Sequence, residues 1–288
     1  MNGAVLVTGA DGFIGTHLVT ALRAAGYVFH THSIADGDIS RCVLPFDDVG
    51  HVFHLAARTF VPESWSDPRK FYEVNLMGTV NVLEYCRARG ASLTLMSSYV
   101  YGRPRRLPVS EDEPLEAFNP YSHTKILAEE TGRYYERQFQ VPVTIVRPFN
   151  IYGPGQERKF LVPSILAQAL DPQLPQITVE DLRPRRDYIY VMDLIDLLMT
   201  TVFRKSGGTF NAGSGSSWGV GEIISLVNEL LPLAKPVRNE DRRRPNEVLD
   251  VIADISRARR ELQWRPRVPF RDGLSETMKS MTQGANQQ

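Results

Sequence analysis

The stretch TGADGFIG (Thr8–Gly15) constrains this chain more than any other, because its glycines stand three residues apart where one kind of pattern gives way to another. Before it runs AVLVTG (Ala4–Gly9), a short apolar segment of strand character. After it Ile14, Leu18, Leu22 and Ala25 recur at helical spacing until Gly26 ends the pattern. The reading is strand, tight turn, helix. Glycines at such a turn let backbone amides approach a pyrophosphate, and the helix N-terminus adds positive dipole character there. A glycine-rich turn can also exist without a ligand. Its position between a clear strand and a clear helix favours a dinucleotide site built on Gly9, Gly12, Phe13, Ile14 and Gly15.

Further apolar runs follow at HVFHLAA (His51–Ala57), SLTLMSS (Ser92–Ser98) and VTIVRP (Val143–Pro148), each separated from the last by a helical stretch. Strands alternating with helices predict an α/β fold with a Rossmann-type, doubly wound parallel sheet. Helix ends are legible too. Asp67 and Pro68 open one helix and Gly90 closes it, while Asn119 and Pro120 open the next. Beyond Tyr152 the alternation loosens and Pro, Gly and Arg accumulate. The expected division is a dinucleotide-binding domain over 1–152 and a smaller, partly interleaved substrate domain over 153–186 and 214–288. The segment 187–213, with DYIYV (Asp187–Val191) and TFNAG (Thr209–Gly213), is expected to return to the large sheet.

Charge narrows the partner. Thirty-three basic and thirty-three acidic residues leave no net field to concentrate nucleic acid or anionic lipid, so a small molecule is expected. Cys42 and Cys86 are too few for a disulfide framework and are not spaced as a metal clip, so no metal site is expected. No run of about 18 apolar residues occurs, and the N-terminus does not read as an export signal. A soluble cytoplasmic protein is the expectation.

The pentapeptide YSHTK (Tyr121–Lys125) puts a phenol and an ammonium four apart, on one face of a helix. With 11 Tyr in 288 residues, a chance match is common enough that context must decide. Context is supplied in order by the glycine turn, GDI (Gly37–Ile39), HLAA (His54–Ala57), SSYVYG (Ser97–Gly102), YSHTK and RPFNIYGPGQ (Arg147–Gln156). Together, over nearly the whole length, these resemble the extended short-chain dehydrogenase/reductases, and within them the NAD-dependent nucleotide-sugar epimerase/dehydratase branch that includes UDP-glucose 4-epimerase.

The resemblance implies a site that chemistry can test. Tyr121 would be the general base, Lys125 its cationic partner and Ser97 the hydroxyl on the reacting sugar oxygen, with Ser98 the alternative. Bringing a phenol to ionise near neutrality takes roughly 4 kcal/mol. A cation about 4 Å away at an effective dielectric near 20 supplies about that much. The resemblance further implies cofactor contacts at Ser33, Asp38, Ile39, Leu55, Ala56, Ala57, Asn75 and Pro148, besides the glycine turn, Tyr121 and Lys125. It implies contacts to the nucleotide-diphosphate sugar at Asn150, Arg186 and Arg244, arginine being suited by its planar fork to phosphate oxygens. NAD is expected ahead of NADP. The usual strand-two acid is replaced by His32 and Ser33, Asp36 being a substitute, but no basic cluster stands ready for a 2′-phosphate.

Two differences narrow the reaction. Sugar 4,6-dehydratases of the family carry an Asp-Glu pair after the catalytic hydroxyl, where this chain has Ser98 and Tyr99. Enzymes that epimerise C3 or C5 need an added acid/base pair, often with a cysteine near that spot, and neither cysteine is placed for it. The expected activity is therefore a nucleotide-sugar 4-epimerase working through a 4-keto sugar. A 4-keto-sugar reductase is the rival. A non-catalytic dinucleotide sensor is a third reading, against which the intact Tyr121, Lys125 and Ser97 argue. A homodimer joined through the helices near 68–89 and 120–139 is likewise what the resemblance implies.

Overall fold

A computed structural model describes residues 3–205, 207–243 and 247–285. The glycine turn separates β1 (Ala4–Thr8) from α1 (Phe13–Ala24), and β2 (Phe29–His32) and β3 (Val49–His54) follow. Two short helices, α2 (Val61–Ser66) and α3 (Pro68–Phe71), lead through a π-helical turn over Tyr72–Met77 into α4 (Gly78–Arg89). Gly90 ends α4 with φ 66°, the left-handed conformation that glycine adopts without strain. Then come β4 (Ser92–Met96), α5 (Pro120–Phe139) and β5 (Val143–Pro148). The second half holds β6 (Asn150–Tyr152), α6 (Leu161–Leu170), β7 (Ile177–Val179), β8 (Arg185–Tyr190), α7 (Val191–Met199) and β9 (Gly208–Ala212). It ends with β10 (Ser217–Gly219), α8 (Val220–Leu230), β11 (Val237–Asn239), α9 (Ser256–Leu262) and α10 (Phe270–Ala285).

Six strands form the main sheet in the order β2-β1-β3-β4-β5-β9, every neighbouring pair parallel. A parallel sheet is covered on both faces, so its strands are apolar throughout rather than alternating. Val5 and Val7 pack with Leu18, Leu22 and Ile195 on one face. Leu6, on the other, packs with Val52, Leu83 and Leu93. Among the described residues no helix is long and apolar enough to cross a membrane.

The strand expected to rejoin this sheet from DYIYV does not do so. β9 takes the free edge of β5, pairing Thr144–Pro148 with Gly208–Ala212. β8 instead lies parallel to β6 and antiparallel to β10 in a three-stranded sheet. The cause is local, because β6 leaves the main sheet one residue after β5 ends and offers β8 a fresh edge. Around that small sheet Tyr152, Ile165, Val191, Ile223 and Leu274 form a separate core. Residues 251–264, expected with the smaller unit, partly return: Val251, Ala253, Ile255 and Trp264 are buried with the first core.

Candidate active site

Parallel strands end on the same edge of a sheet, and ligands of open α/β sheets bind at that edge where the strand order reverses. Here the reversal falls at β1, between β2 and β3, so the glycine turn stands at the switch point. The turn is built by close approach. Gly9 has φ 70° and a Cβ there would lie 2.7 Å from the Ala56 nitrogen; a Cβ on Gly15 would lie 2.2 Å from the Gly9 carbonyl oxygen. The Gly9 amide donates to the His32 carbonyl at 2.7 Å, which presses the turn against the end of β2. Gly12 is the N-cap of α1 and no side chain caps the helix. Phe13 and Ile14 occupy its first turn. A cradle that a side chain would fill, leading into an uncapped helix, fits a dinucleotide pyrophosphate.

The neighbouring loops complete that edge. Ser33 caps a 3-10 turn, its amide donating to Asp36 Oδ2 at 2.8 Å and its Oγ to the same oxygen at 3.1 Å. Both bonds hold the Asp36 carboxyl below the usual range, and the further titratable side chain acting on it is His32 rather than a Lys or Arg. Asp38 shapes its own turn, accepting from the Ser40 amide at 2.9 Å and the Ser40 hydroxyl at 2.8 Å. Ile39 is buried, its side chain seating the loop on α4. The loop Leu55–Ala57 is tied back to β1, with the Leu55 amide donating to the Thr8 carbonyl at 3.1 Å and the Ala56 amide to Thr8 Oγ1 at 3.3 Å. Asn75, on the π-helical turn, is 1% exposed with its amide fully engaged. Its Oδ1 accepts from the Arg58 amide, and its Nδ2 donates to the Arg58 carbonyl and Thr124 Oγ1. It braces the loop after β3. Pro148 ends β5.

α5 starts as the sequence predicts. Asn119 Oδ1 accepts from the Ser122 amide at 2.8 Å and Pro120 takes the first turn, which puts Tyr121 there as well. The half-buried Tyr121 ring meets Phe71 edge-on, with centroids 6.3 Å apart. Burial raises its phenol pKa, and a hydrogen bond with the Ser98 hydroxyl opposes the rise. Lys125 is buried, donates to the Met96 carbonyl at 2.9 Å, and is drawn down to about 8 by burial, with Glu129 opposing. His54, on β3, is held neutral with a pKa of about 3 by burial and then by the Lys125 charge. The expected lowering of Tyr121 by Lys125 is therefore not realised by the chain's own residues. Desolvation dominates at the phenol, with the Ser98 hydrogen bond opposing it, and the ammonium donates to a backbone carbonyl.

The two serines have different partners. The Ser97 hydroxyl donates to Glu129 Oε1 at 2.6 Å. Ser98, one residue on, faces the phenol. The reason is Glu129, a fully buried carboxylate that sequence reading passed over. It also accepts from Arg147 Nε at 2.8 Å and Nη2 at 2.6 Å, and from Arg133 Nη2 at 2.8 Å. Arg147 continues the network to the Tyr101 hydroxyl at 2.9 Å and the Glu111 carbonyl at 3.1 Å. Glu129 was detectable: it falls four residues after Lys125 and eight after Tyr121, on the same helix face.

The implied sugar-nucleotide contacts lie beyond the end of β5. Asn150 starts β6, and its Nδ2 donates to the Asp187 carbonyl at 3.0 Å. Arg186, on β8, is close enough to oppose the rise in the Tyr99 pKa, which burial still carries to about 12. It is not a free fork, since it donates to the Val248 carbonyl at 2.6 Å and to the Glu247 carboxylate. Arg244 lies outside the described residues.

A family model described as NAD dependent epimerase/dehydratase family matches residues 5–213. The chain is 29% identical to the GDP-6-deoxy-D-mannose reductase of Pseudomonas aeruginosa over 291 residues, covering 95% of each. It is 29% identical to the UDP-glucose 4-epimerase of Mycolicibacterium smegmatis over 309 residues, 95% of this chain and 96% of the relative. The solved structure of MoeE5 with UDP-glucose and NAD superposes with a TM-score of 0.89 at 28% identity, covering 98% of this chain and 100% of that one.

Proposed function

The chain belongs to the NAD dependent epimerase/dehydratase family, and from that premise we propose that it is a nucleotide-sugar 4-epimerase that keeps its NAD bound through the cycle. The observation that carries the reading is the gathering of Tyr121, Lys125 and Ser98 at the end of β4, along the sheet edge that holds the glycine turn. NAD, when bound, would supply the two-electron acceptor and donor for sugar C4. The glycine turn would hold its pyrophosphate, Ser33 and Asp36 its adenosine ribose, and Tyr121 with Lys125 its nicotinamide end.

Tyr121 takes the proton from the C4 hydroxyl and later returns it. Ser98 donates to the same sugar oxygen and keeps it in line with the phenol. Lys125, one turn along α5 from Tyr121, would supply positive charge to the same end of the site. Asn150 and Arg186 would take the diphosphate end, and the sugar turns over between the two half-reactions. Asp36, a carboxylate whose titratable neighbour is His32 and not a Lys or Arg, supports NAD over a cofactor with a 2′-phosphate, which suits an epimerase better than a reductase. The likeness to both an epimerase and a reductase keeps 4-keto-sugar reduction as the rival. A homodimer joined through α4 and α5 belongs to the same reading and is checked by light scattering.

The deciding experiment incubates the purified protein with UDP-glucose or a related UDP-hexose and no added reductant, and follows the C4 epimers by proton NMR. Interconversion with bound NAD(H) and no net change in NADH absorbance is the expected result. Stoichiometric oxidation of NADPH with a 4-keto sugar nucleotide, and no epimer, would install the reductase.

A further inference from the structure

Three side chains of α5 hold three consecutive residues at the end of β4. Tyr121, Lys125 and Glu129 recur one turn apart along a face about 12 Å long. Tyr121 meets Ser98, Lys125 donates to the Met96 carbonyl, and Glu129 accepts from Ser97 between them. Glu129 is in turn held by Nε and Nη2 of Arg147 from β5, so β4, β5 and α5 converge on one carboxylate. A buried ion pair is weak evidence for stability, since apolar residues of the same volume often serve as well; its better use is to fix one geometry.

We propose that Glu129 is a positioning residue for the reaction. With Arg147 it anchors Ser97, and by fixing the chain at Ser97 it sets the approach of Ser98 to Tyr121. It also keeps a negative charge one turn from Lys125. This rests on the reading of Tyr121, Lys125 and Ser98 as the groups that act on the sugar. Among the described residues the charged and titratable groups that act on Lys125 are Glu129 on its own helix and His54 on β3, the latter neutral.

The test compares Ser97→Ala and Glu129→Gln with the wild type, and with Tyr121→Phe and Ser98→Ala as references. Ser97→Ala removes the anchoring hydroxyl and leaves the ion pair, so it decides the matter even where Glu129→Gln fails to fold. A reacting group displaced by a fraction of an ångström costs about tenfold, so both variants should lose about tenfold in kcat. KM should stay within about twofold, since ground-state binding is untouched. Glu129→Gln should also move the alkaline limb of the kcat profile to lower pH, because burial of Lys125 is then unopposed; Ser97→Ala should leave that limb in place. A merely structural role would move neither limb nor the kcat-to-KM split. A second readout needs no turnover: the Ser97 amide, which donates to the Val146 carbonyl, should exchange hydrogen about tenfold faster in Ser97→Ala. Wild-type turnover and exchange in Ser97→Ala would overturn the proposal. If only the two reference variants lose activity, the anchor fails and the proposed function stands. If the references also keep activity, or the wild type turns over no sugar, that function fails and the exchange rates still decide the anchor.

Discussion

Tyr121 carries the largest expectation of any single residue, because in the proposed reaction the phenol handles the proton while the glycine turn holds the pyrophosphate of the dinucleotide. Tyr121→Phe should lower turnover by at least about 100-fold, in line with general acid-base contributions. NAD affinity, read by calorimetry, should survive. Lys125 sets a pH dependence with a definite sign. Its folded-state pKa is drawn down to about 8 from the usual 10.5, so the ammonium is present below that value and is lost as pH rises through it. Turnover that needs the charge should therefore fall through pH of about 8. Stability should move the other way. The folded protein binds fewer protons at this site than the unfolded chain, so this residue's contribution to stability rises with pH from about 8 toward 10.5. Loss of turnover above pH 8 with an undiminished denaturation midpoint would match both signs; loss of both together would assign the limb to unfolding. At this scale residue types were legible in the sequence and directions were not. Ser97 and Ser98 are adjacent hydroxyls at a strand end, and which of them meets Tyr121 depends on a carboxylate thirty-two residues away.

The glycine turn and the start of α5 are the two elements whose form decides the site. At Gly15 the space for a side chain is closed by the Gly9 carbonyl oxygen at 2.2 Å, so Gly15→Ala should force the turn open. NAD binding should weaken by at least about tenfold, as expected when backbone amides can no longer close on a pyrophosphate. Retained affinity in a folded variant would place the dinucleotide elsewhere. Asn119→Ala removes the cap of α5 and should cost about 1 kcal/mol of stability by denaturant titration. Both elements could be read from sequence because their signals are short and local: glycine spacing, Asn-Pro, and apolar runs that a twice-covered parallel strand requires. β8 could not be read in the same way. Its apolar run suits any sheet, and the choice was made by β9 filling the edge of β5 and by β6 offering another.

Across the whole molecule the two cores are joined through the stretch after Glu247, and the arginine assigned to the diphosphate sits on that junction. The Arg185 amide donates to the Leu249 carbonyl at 2.8 Å, and Arg186 donates to the Val248 carbonyl at 2.6 Å. Farther on, the Ala253 amide donates to Asp187 Oδ2 at 3.0 Å, and Ala253 bridges to Val109 on the first unit. The junction is thus held largely by backbone groups, which no residue pattern announces. Among the described residues Arg186 is also paired there with the Glu247 carboxylate. A diphosphate arriving at Arg186 competes with that carboxylate for the same guanidinium, so the two partners should respond in opposite directions. Arg186→Ala should weaken binding of a nucleoside diphosphate by roughly 1.5–3 kcal/mol, the worth of a charge-assisted hydrogen bond. Glu247→Gln should tighten it by a few-fold, about 1 kcal/mol or less for a partly exposed pair, because the fork no longer has an anion to give up. NAD affinity should be unchanged in both. Calorimetric titration of UDP measures the pair directly: weaker binding in Glu247→Gln would make Glu247 a support for Arg186 and not its competitor, and wild-type affinity in Arg186→Ala would return the arginine to a purely structural part of the junction.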